Sequence, residues 1–286
     1  MRPEITSRVS AVITRLRQSG LWRPIKAAVV TGSRRSVGGL SVSNAEDRPV
    51  GPPLRRGCST ATSLNVSYRI GRVAQYVEGR WLDFGCGDGG YTRALLDAGA
   101  SSVDGVDIEA DRIEQAISRN LTNVTFNRLS NSHLPFADAS FDGAFVNEVL
   151  EHVDNEQVAL SEIRRVLRAS GYIVVISPNR WFPIDGHWVR IAGRTFAPAP
   201  LIPWLPARLT KRIMRARNYW PYQLIREVRE AGFEIIETGY IWPVMERFRW
   251  LPSALIRLYQ RHFERVDDIP GVRKFGLSTL VIGRKT

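Results

Sequence analysis

Trp81-Leu82-Asp83-Phe84-Gly85-Cys86-Gly87-Asp88-Gly89-Gly90 is the stretch from which the rest of this chain is read. Arg80–Phe84 is a short apolar run of strand length. Glycines then cluster, and Tyr91–Ala98 follows a helical period until Gly99 stops it. Glycine admits positive φ and lets the backbone approach a ligand with no Cβ in the way. The N-terminus of the next helix adds N–H groups that have no intrahelical partner. A strand, a glycine turn and a helix in this order form a cofactor-binding turn.

The alternation continues outward. Ser102–Val106, Val124–Asn127, Phe141–Asn147 and Tyr172–Ser177 read as strands, and Pro178 ends the last of them. Glu109–Arg119 and Gln157–Leu167 read as helices between them, and Tyr68–Val77 as a helix before the first strand. The pattern predicts an α/β fold, a parallel sheet with helices on both faces. Residues 179–220 break the rhythm with many Pro, Trp and Arg and no clear strand. They read as a cap inserted before a helix at Pro221–Ala231, a strand at Phe233–Tyr240, a helix at Ser253–His262 and a last strand at Leu277–Gly283.

The glycine turn alone leaves two cofactors open. Gly85, Gly87 and Gly90, with Asp107 downstream, satisfy the dinucleotide fingerprint. Gly85, Gly87 and Gly89 equally satisfy a methyltransferase spacing. Further segments separate the two: Leu82 to Gly89; Val106-Asp107-Ile108; Leu134-Pro135-Phe136 with Ser140-Phe141-Asp142; Asn147-Glu148-Val149-Leu150-Glu151-His152-Val153; and Leu167 to Asn179. In these the chain resembles the class I S-adenosylmethionine-dependent methyltransferases, within the group that holds the ubiquinone and menaquinone biosynthesis enzymes. The resemblance covers about 66–180 well and 221–283 in outline. It implies a Rossmann-like seven-stranded methyltransferase fold, mostly parallel, with an antiparallel last strand. It implies S-adenosyl-L-methionine as cofactor.

By the same resemblance, Asp83 helps hold the amino-acid end of the cofactor, while Gly85, Cys86 and Gly87 form the turn around its methionine part. Asp107 accepts the ribose hydroxyls, and Ile108 packs on the adenine. Asn147 and Glu148 border the sulfonium and the acceptor. The family often has an acidic residue where this chain has Ser130, followed by Asn131. A hydroxyl or an amide oxygen can also accept from the adenine amino group.

Methyl transfer is an in-line displacement at a sulfonium carbon, so positioning and desolvation dominate. A hydroxyl acceptor also needs a base. His187, near Asp185 in the loop after the fifth strand, is one candidate, since its ordinary pKa suits the task. His152 is a second, or else packs between the strand end and the next helix. Glu148 and Glu151 qualify only where burial raises their pKa; capping or exposure is the simpler reading of Glu151. Trp181, Phe182, Trp188, Phe196, Trp204, Tyr219 and Trp220 offer apolar faces among basic residues. That mixture suits a lid that touches a membrane interface or a lipid-linked acceptor.

The 286 residues carry 44% apolar side chains and a formal charge of +12. Residues 1–60 hold 11 Lys/Arg and 3 Asp/Glu, residues 61–189 hold 11 and 17, and residues 190–286 hold 18 and 8. An acidic middle between basic ends points to an anionic partner: a membrane surface, nucleic acid or a phosphorylated substrate. Two cysteines, Cys58 and Cys86, fit a reducing cytosol better than a disulfide framework, and no zinc spacing occurs.

Residues 1–63 read as a basic, flexible extension and 64–286 as the catalytic domain. Val9–Val30 suits a surface anchor, a transit peptide or sequence upstream of the true start. The expectation is a cytoplasmic methyltransferase, peripheral to a membrane, acting on an oxygen or carbon of a small or lipid-linked acceptor. A nucleic-acid methyltransferase is favoured by charge alone, with no base-flipping motif of the Asn-Pro-Pro-Tyr type. A non-catalytic cofactor-binding assembly factor is the third reading.

Overall fold

The computed structural model describes residues 63–185, 189–191, 194–196, 199–205, 217–244, 254–256, 258–259 and 269–286. Helix α1 (Ser63–Val73) leads through a 3-10 turn at Ala74–Tyr76 into β1 (Gly79–Phe84). Then follow α2 (Gly90–Ala98), β2 (Ala100–Asp107), α3 (Ala110–Ile117), β3 (Val124–Arg128) and β4 (Phe141–Asn147). A 3-10 turn at Leu150–His152, α4 (Glu156–Val166) and β5 (Leu167–Pro178) complete this half. Asn155 caps α4 by accepting the Val158 N–H at 3.1 Å.

After β5 come four short strands, β6 (Ile184–Asp185), β7 (Val189–Ile191), β8 (Arg194–Phe196) and β9 (Ala199–Pro200). They pair antiparallel as β6 with β9 and β7 with β8. The sequence reading had no strand here. Ladders of two or three residues leave no periodicity to detect. Helix α5 (Pro221–Glu230) has Pro at its first position, where the missing N–H costs nothing. The chain closes with β10 (Phe233–Ile241) and β11 (Ser278–Lys285). Of the helix expected at Ser253–His262, residues 254–256 and 258–259 are helical; the rest lies outside the described residues.

One seven-stranded sheet has the order β10-β11-β5-β4-β1-β2-β3. Strands β1 to β5 are mutually parallel, and β11 runs antiparallel between β5 and β10. This is the expected class, including its reversed last strand. Side chains alternate across the sheet with period two, so each central strand supplies two cores. Leu82, Val106, Ala144 and Val175 pack with Leu160 and Ile163 of α4 and Leu224 and Val228 of α5. Trp81, Val103, Phe145 and Val174 pack with Ile70 and Val73 of α1 and Leu95 of α2. Gly143 makes room for the Trp81 indole: a Cβ there would lie 2.3 Å from the ring.

The first helix begins five residues before its expected start and ends four before its expected end. Val73 is its last residue, fully buried under the sheet, and the 3-10 turn carries the chain to β1.

Candidate functional site

The sheet order reverses at β1, which has β2 on one side and β4 on the other. Ligands of open parallel sheets bind outside the carboxyl ends of strands at such a point. Asp83 and the glycine turn end β1, Asp107 ends β2, and Asn147 ends β4 with Glu148 following. Tertiary structure thus gathers three separate sequence segments on one edge.

Gly85, Gly87 and Gly89 have φ of 78°, 54° and 81°. A Cβ on Gly85 would also lie 2.2 Å from Val149 Cγ2, so this position needs glycine twice over. The N–H groups of Gly85 and Cys86 both donate to the Val106 carbonyl, at 2.8 and 2.9 Å. Asp107 completes the cradle. Its Oδ2 accepts from Gly87 N–H and its Oδ1 from Glu109 N–H, each at 2.9 Å. A carboxylate has about four acceptor positions, so each oxygen retains capacity for a ribose hydroxyl. Arg119 clamps the turn from outside, with Nη2 2.7 Å from Asp88 Oδ2.

Asp83 is buried and accepts from Thr92 Oγ1 at 2.6 Å. Burial pushes its carboxyl up to about 7; the Thr92 bond works against this, while Asp107 and Asp88 add to it. Among the described residues no cation pairs with it. A buried acid beside an open glycine turn, lacking a positive partner, fits a ligand that brings its own positive charge. The Cys86 thiol is buried and pushed further from ionisation, first by desolvation and then by Asp83; it lines the turn as an uncharged group.

Ile108 is 69% exposed beside Asp107, an apolar face at the end of β2. Ser130 and Asn131 are exposed nearby in sequence, after β3. Asn131 Oδ1 accepts the His133 N–H at 2.9 Å in a local turn. Ser130 is therefore the less committed acceptor of the two.

The β4 end is organised by a residue the sequence reading passed over. Arg69 of α1 is 3% exposed, and its Nη1 donates to Asn147 Oδ1 at 2.6 Å and to Glu148 Oε1 at 2.8 Å. Ser278 of β11 donates to the same Glu148 oxygen at 2.6 Å. Glu148 stands at φ 56°, a backbone state uncommon outside glycine, just as it leaves the strand. It is at the site, but its Oε1 is committed to Arg69 and Ser278.

Two expectations are corrected here. Glu151 is neither a cap nor exposed: it is 1% exposed, with Oε2 accepting from Ser177 Oγ at 3.2 Å. Desolvation raises its carboxyl well above the ordinary range, and Glu148 adds to the effect. The 3-10 turn aims it inward, which a helical-wheel reading of the motif could not foresee. His152, on the same turn, is exposed rather than packed between strand and helix. His187 and Trp188 lie outside the described residues. Of the cap aromatics, Trp181 packs edge-on against Trp220 with ring centroids 5.0 Å apart. Tyr219 is buried and donates to the Leu150 carbonyl at 3.2 Å, so it presents no open face. Of the basic run Arg208–Arg217, Arg217 is described; it pairs with Glu156 at 3.0 Å. No group of three or more His, Cys, Asp or Glu suited to a metal occurs among the described residues. None of the described helices is long and apolar enough to cross a membrane.

A reversed β11 within a parallel sheet, together with a glycine cradle closed by Asp107, defines a Rossmann-like cofactor-binding protein of the seven-stranded class. Comparisons with known proteins agree. A methyltransferase-domain family model matches residues 82–175. A demethylmenaquinone methyltransferase of Symbiobacterium thermophilum is 31% identical over 182 residues, 56% of this chain and 69% of that protein. An O-methyltransferase of Aspergillus nomiae is 34% identical over 129 residues, 43% of this chain and 57% of that protein. The chain spans between about a third and three-fifths of the length of the first curated relatives it matches. A solved S-adenosylmethionine-dependent methyltransferase from Mesorhizobium loti shares the fold, with TM-score 0.53 and 21% identity over 76% of this chain and 97% of that one. The [4+2]-cyclase SpnF shares it too, with TM-score 0.51 and 22% identity over 79% and 84%. The chain belongs to the class I S-adenosylmethionine-dependent methyltransferases, and S-adenosylmethionine is its cofactor.

Proposed function

We propose that this protein transfers the sulfonium methyl group of S-adenosylmethionine to an oxygen or carbon of a small or lipid-linked acceptor. The observation that carries the reading is the cradle. Asp107, with its oxygens bonded to Gly87 and Glu109, faces the Gly85–Gly89 turn, and the buried Asp83 lies behind it. In this reading Asp83 meets the amino-acid end, Gly85, Cys86 and Gly87 line the methionine part, and Asp107 takes the ribose. Ile108 covers one adenine face, and Ser130, with Asn131, meets the adenine edge. Asn147 and Glu148, held by Arg69, border the transferred methyl group. The demethylmenaquinone methyltransferase relative supports a quinone-like acceptor, and the O-methyltransferase relative an oxygen acceptor.

The attacking atom forms its bond to the methyl carbon as the bond to sulfur breaks. A hydroxyl acceptor releases its proton to a base, for which His187 is our first choice and His152 our second. The cap at about 179–220 supplies acceptor contacts, and the basic extension 1–63 and the cap bring the enzyme to an anionic membrane from the cytoplasmic side. Nucleic acid is the less favoured acceptor.

Calorimetry with S-adenosylhomocysteine, with NAD as control, tests the cofactor site; transfer of labelled methyl into lipid extracts tests the acceptor class. Binding without transfer to any acceptor would favour a non-catalytic cofactor-binding role.

A further inference from the structure

We infer that Glu151 works as a neutral carboxylic acid, donating its proton to the Glu148 carboxylate and so positioning Glu148 and Arg69 beside the acceptor. The placing of the acceptor rests on the function proposed above; the protonation state does not.

The inference starts from where charge can be balanced. Glu148 has a cation, Arg69, at 2.8 Å, and a hydroxyl donor, Ser278, at 2.6 Å. Among the described residues Glu151 has no ion-pair partner, and its donors are the Ser177 hydroxyl and its own backbone N–H. Its Oε2 accepts from Ser177, while its Oε1 is buried with no hydrogen-bond partner. An ionised carboxylate so placed would carry an uncompensated buried charge, which proteins avoid by neutralising the group. A protonated one has an O–H to place, and the Glu148 side chain is its neighbour. One proton shared by two acids beside one guanidinium leaves the cluster electrically neutral.

The groups around Glu151 agree. Arg69 approaches from α1 and is already engaged by Asn147 and Glu148. The Tyr219 hydroxyl donates to the Leu150 carbonyl and lies 3.0 Å from Glu156. The Arg217 guanidinium is held by the Val153 carbonyl and Glu156. Ser177 and Thr279 face each other across β5 and β11. The Arg69 charge is felt at Glu151, but its Nη1 donates to Asn147 and Glu148, and none of these groups forms an ion pair with Glu151. Glu148, which is 30% exposed at its side chain, is the member of the pair that reaches the site. Glu151 acts through it and is a positioning residue.

Infrared difference spectroscopy of the full chain, on wild type, Glu151→Gln and Asp83→Asn at pH 8.5, reads the proton directly. At that pH Asp83 has ionised. A protonated-carboxyl carbonyl band is expected in wild type and in Asp83→Asn, and is expected to be lost in Glu151→Gln. Absence of the band from wild type, or its survival in Glu151→Gln, overturns the inference. Thermal unfolding gives a second reading, with sign fixed by linkage. A folded state that keeps a proton the unfolded chain has released loses stability as pH rises above about 4.5. Wild type is therefore expected to fall behind Glu151→Gln in Tm from pH 5 to pH 9; parallel curves overturn the inference. Glu151→Met fills the space without a donor and is expected to lower Tm where Gln does not; equal Tm for the two variants counts against it. Loss of S-adenosylhomocysteine binding by wild type would refute the proposed function and leave the infrared result standing.

Discussion

Arg69 Nη1 lies 2.8 Å from Glu148 Oε1, joining residues 79 positions apart in the chain. The pair ties α1 to the end of β4, and the same nitrogen also holds Asn147. The β4 end of the site, proposed to border the acceptor, is thus fixed by a helix that precedes the glycine motif. Removing one partner of a buried pair leaves the other uncompensated. Arg69→Met is expected to cost about 3–5 kcal/mol, read as a lower urea midpoint at unchanged m-value.

In the proposed function Asp83 couples stability to cofactor binding. Its carboxyl, raised by burial to about 7, keeps a proton in the fold that the unfolded chain has lost at the ordinary 3.8. The apo fold is therefore penalised as pH rises from about 4 to about 7, and the penalty is full above 7. Asp83→Asn removes the charge and keeps the Thr92 bond. It is expected to unfold like wild type at pH 4 and to be more stable by about 1–4 kcal/mol at pH 8, in denaturant titrations at both pH values.

The same carboxyl sets the pH dependence of binding. An ammonium group at the ligand's amino-acid end is held best by ionised Asp83, so the apparent Kd for S-adenosylhomocysteine is expected to rise below pH 7 by up to about tenfold per unit. Calorimetry from pH 8 to pH 5 measures this. In Asp83→Asn the slope should vanish and affinity at pH 8 should fall.

Asp107→Ala removes the proposed ribose acceptor and the anchor of Gly87 together. A hydrogen bond to a charged group contributes about 1.5–3 kcal/mol. At least about tenfold weaker S-adenosylhomocysteine binding is expected. Unchanged affinity would remove Asp107 from the cofactor site.

Gly143→Ala places a methyl group 2.3 Å from the Trp81 ring. Overpacking of this kind costs about 1–3 kcal/mol. Trp81→Phe in the same chain should recover part of the loss, a coupling that a double-mutant cycle reads.

His187→Ala is expected to lower turnover and leave the affinity for S-adenosylhomocysteine intact. Wild-type turnover at saturating acceptor would exclude it as the base.

Much of the cofactor side was legible in the chain, because it is written in local grammar. Gly85, Gly87 and Gly89 announce positive φ, and Asp107 stands at the end of a strand that alternation alone predicts. The acceptor side was not. Arg69 sits on an amphipathic helix where an arginine ordinarily reads as surface. Glu151 sits in a motif whose 3-10 turn, rather than an α-helix, decides which way each side chain points. The strands showed the same divide: all seven of the main sheet were placed by their sequence pattern, while the short ladders of the cap were below its reach.

By itself, then, the sequence determined the alternating α/β class and the glycine turn, since each depends on contacts or conformations within a few residues, while the reversed last strand was implied by the family resemblance and is made by pairing with β5, about 100 residues away. Only the tertiary structure decided which polar groups are buried and paired. Arg69 with Glu148, Glu151 with Ser177, and Asp83 without a cation among the described residues all depend on segments far apart in the chain, and the strength of a charge is set by what surrounds it rather than by what precedes it.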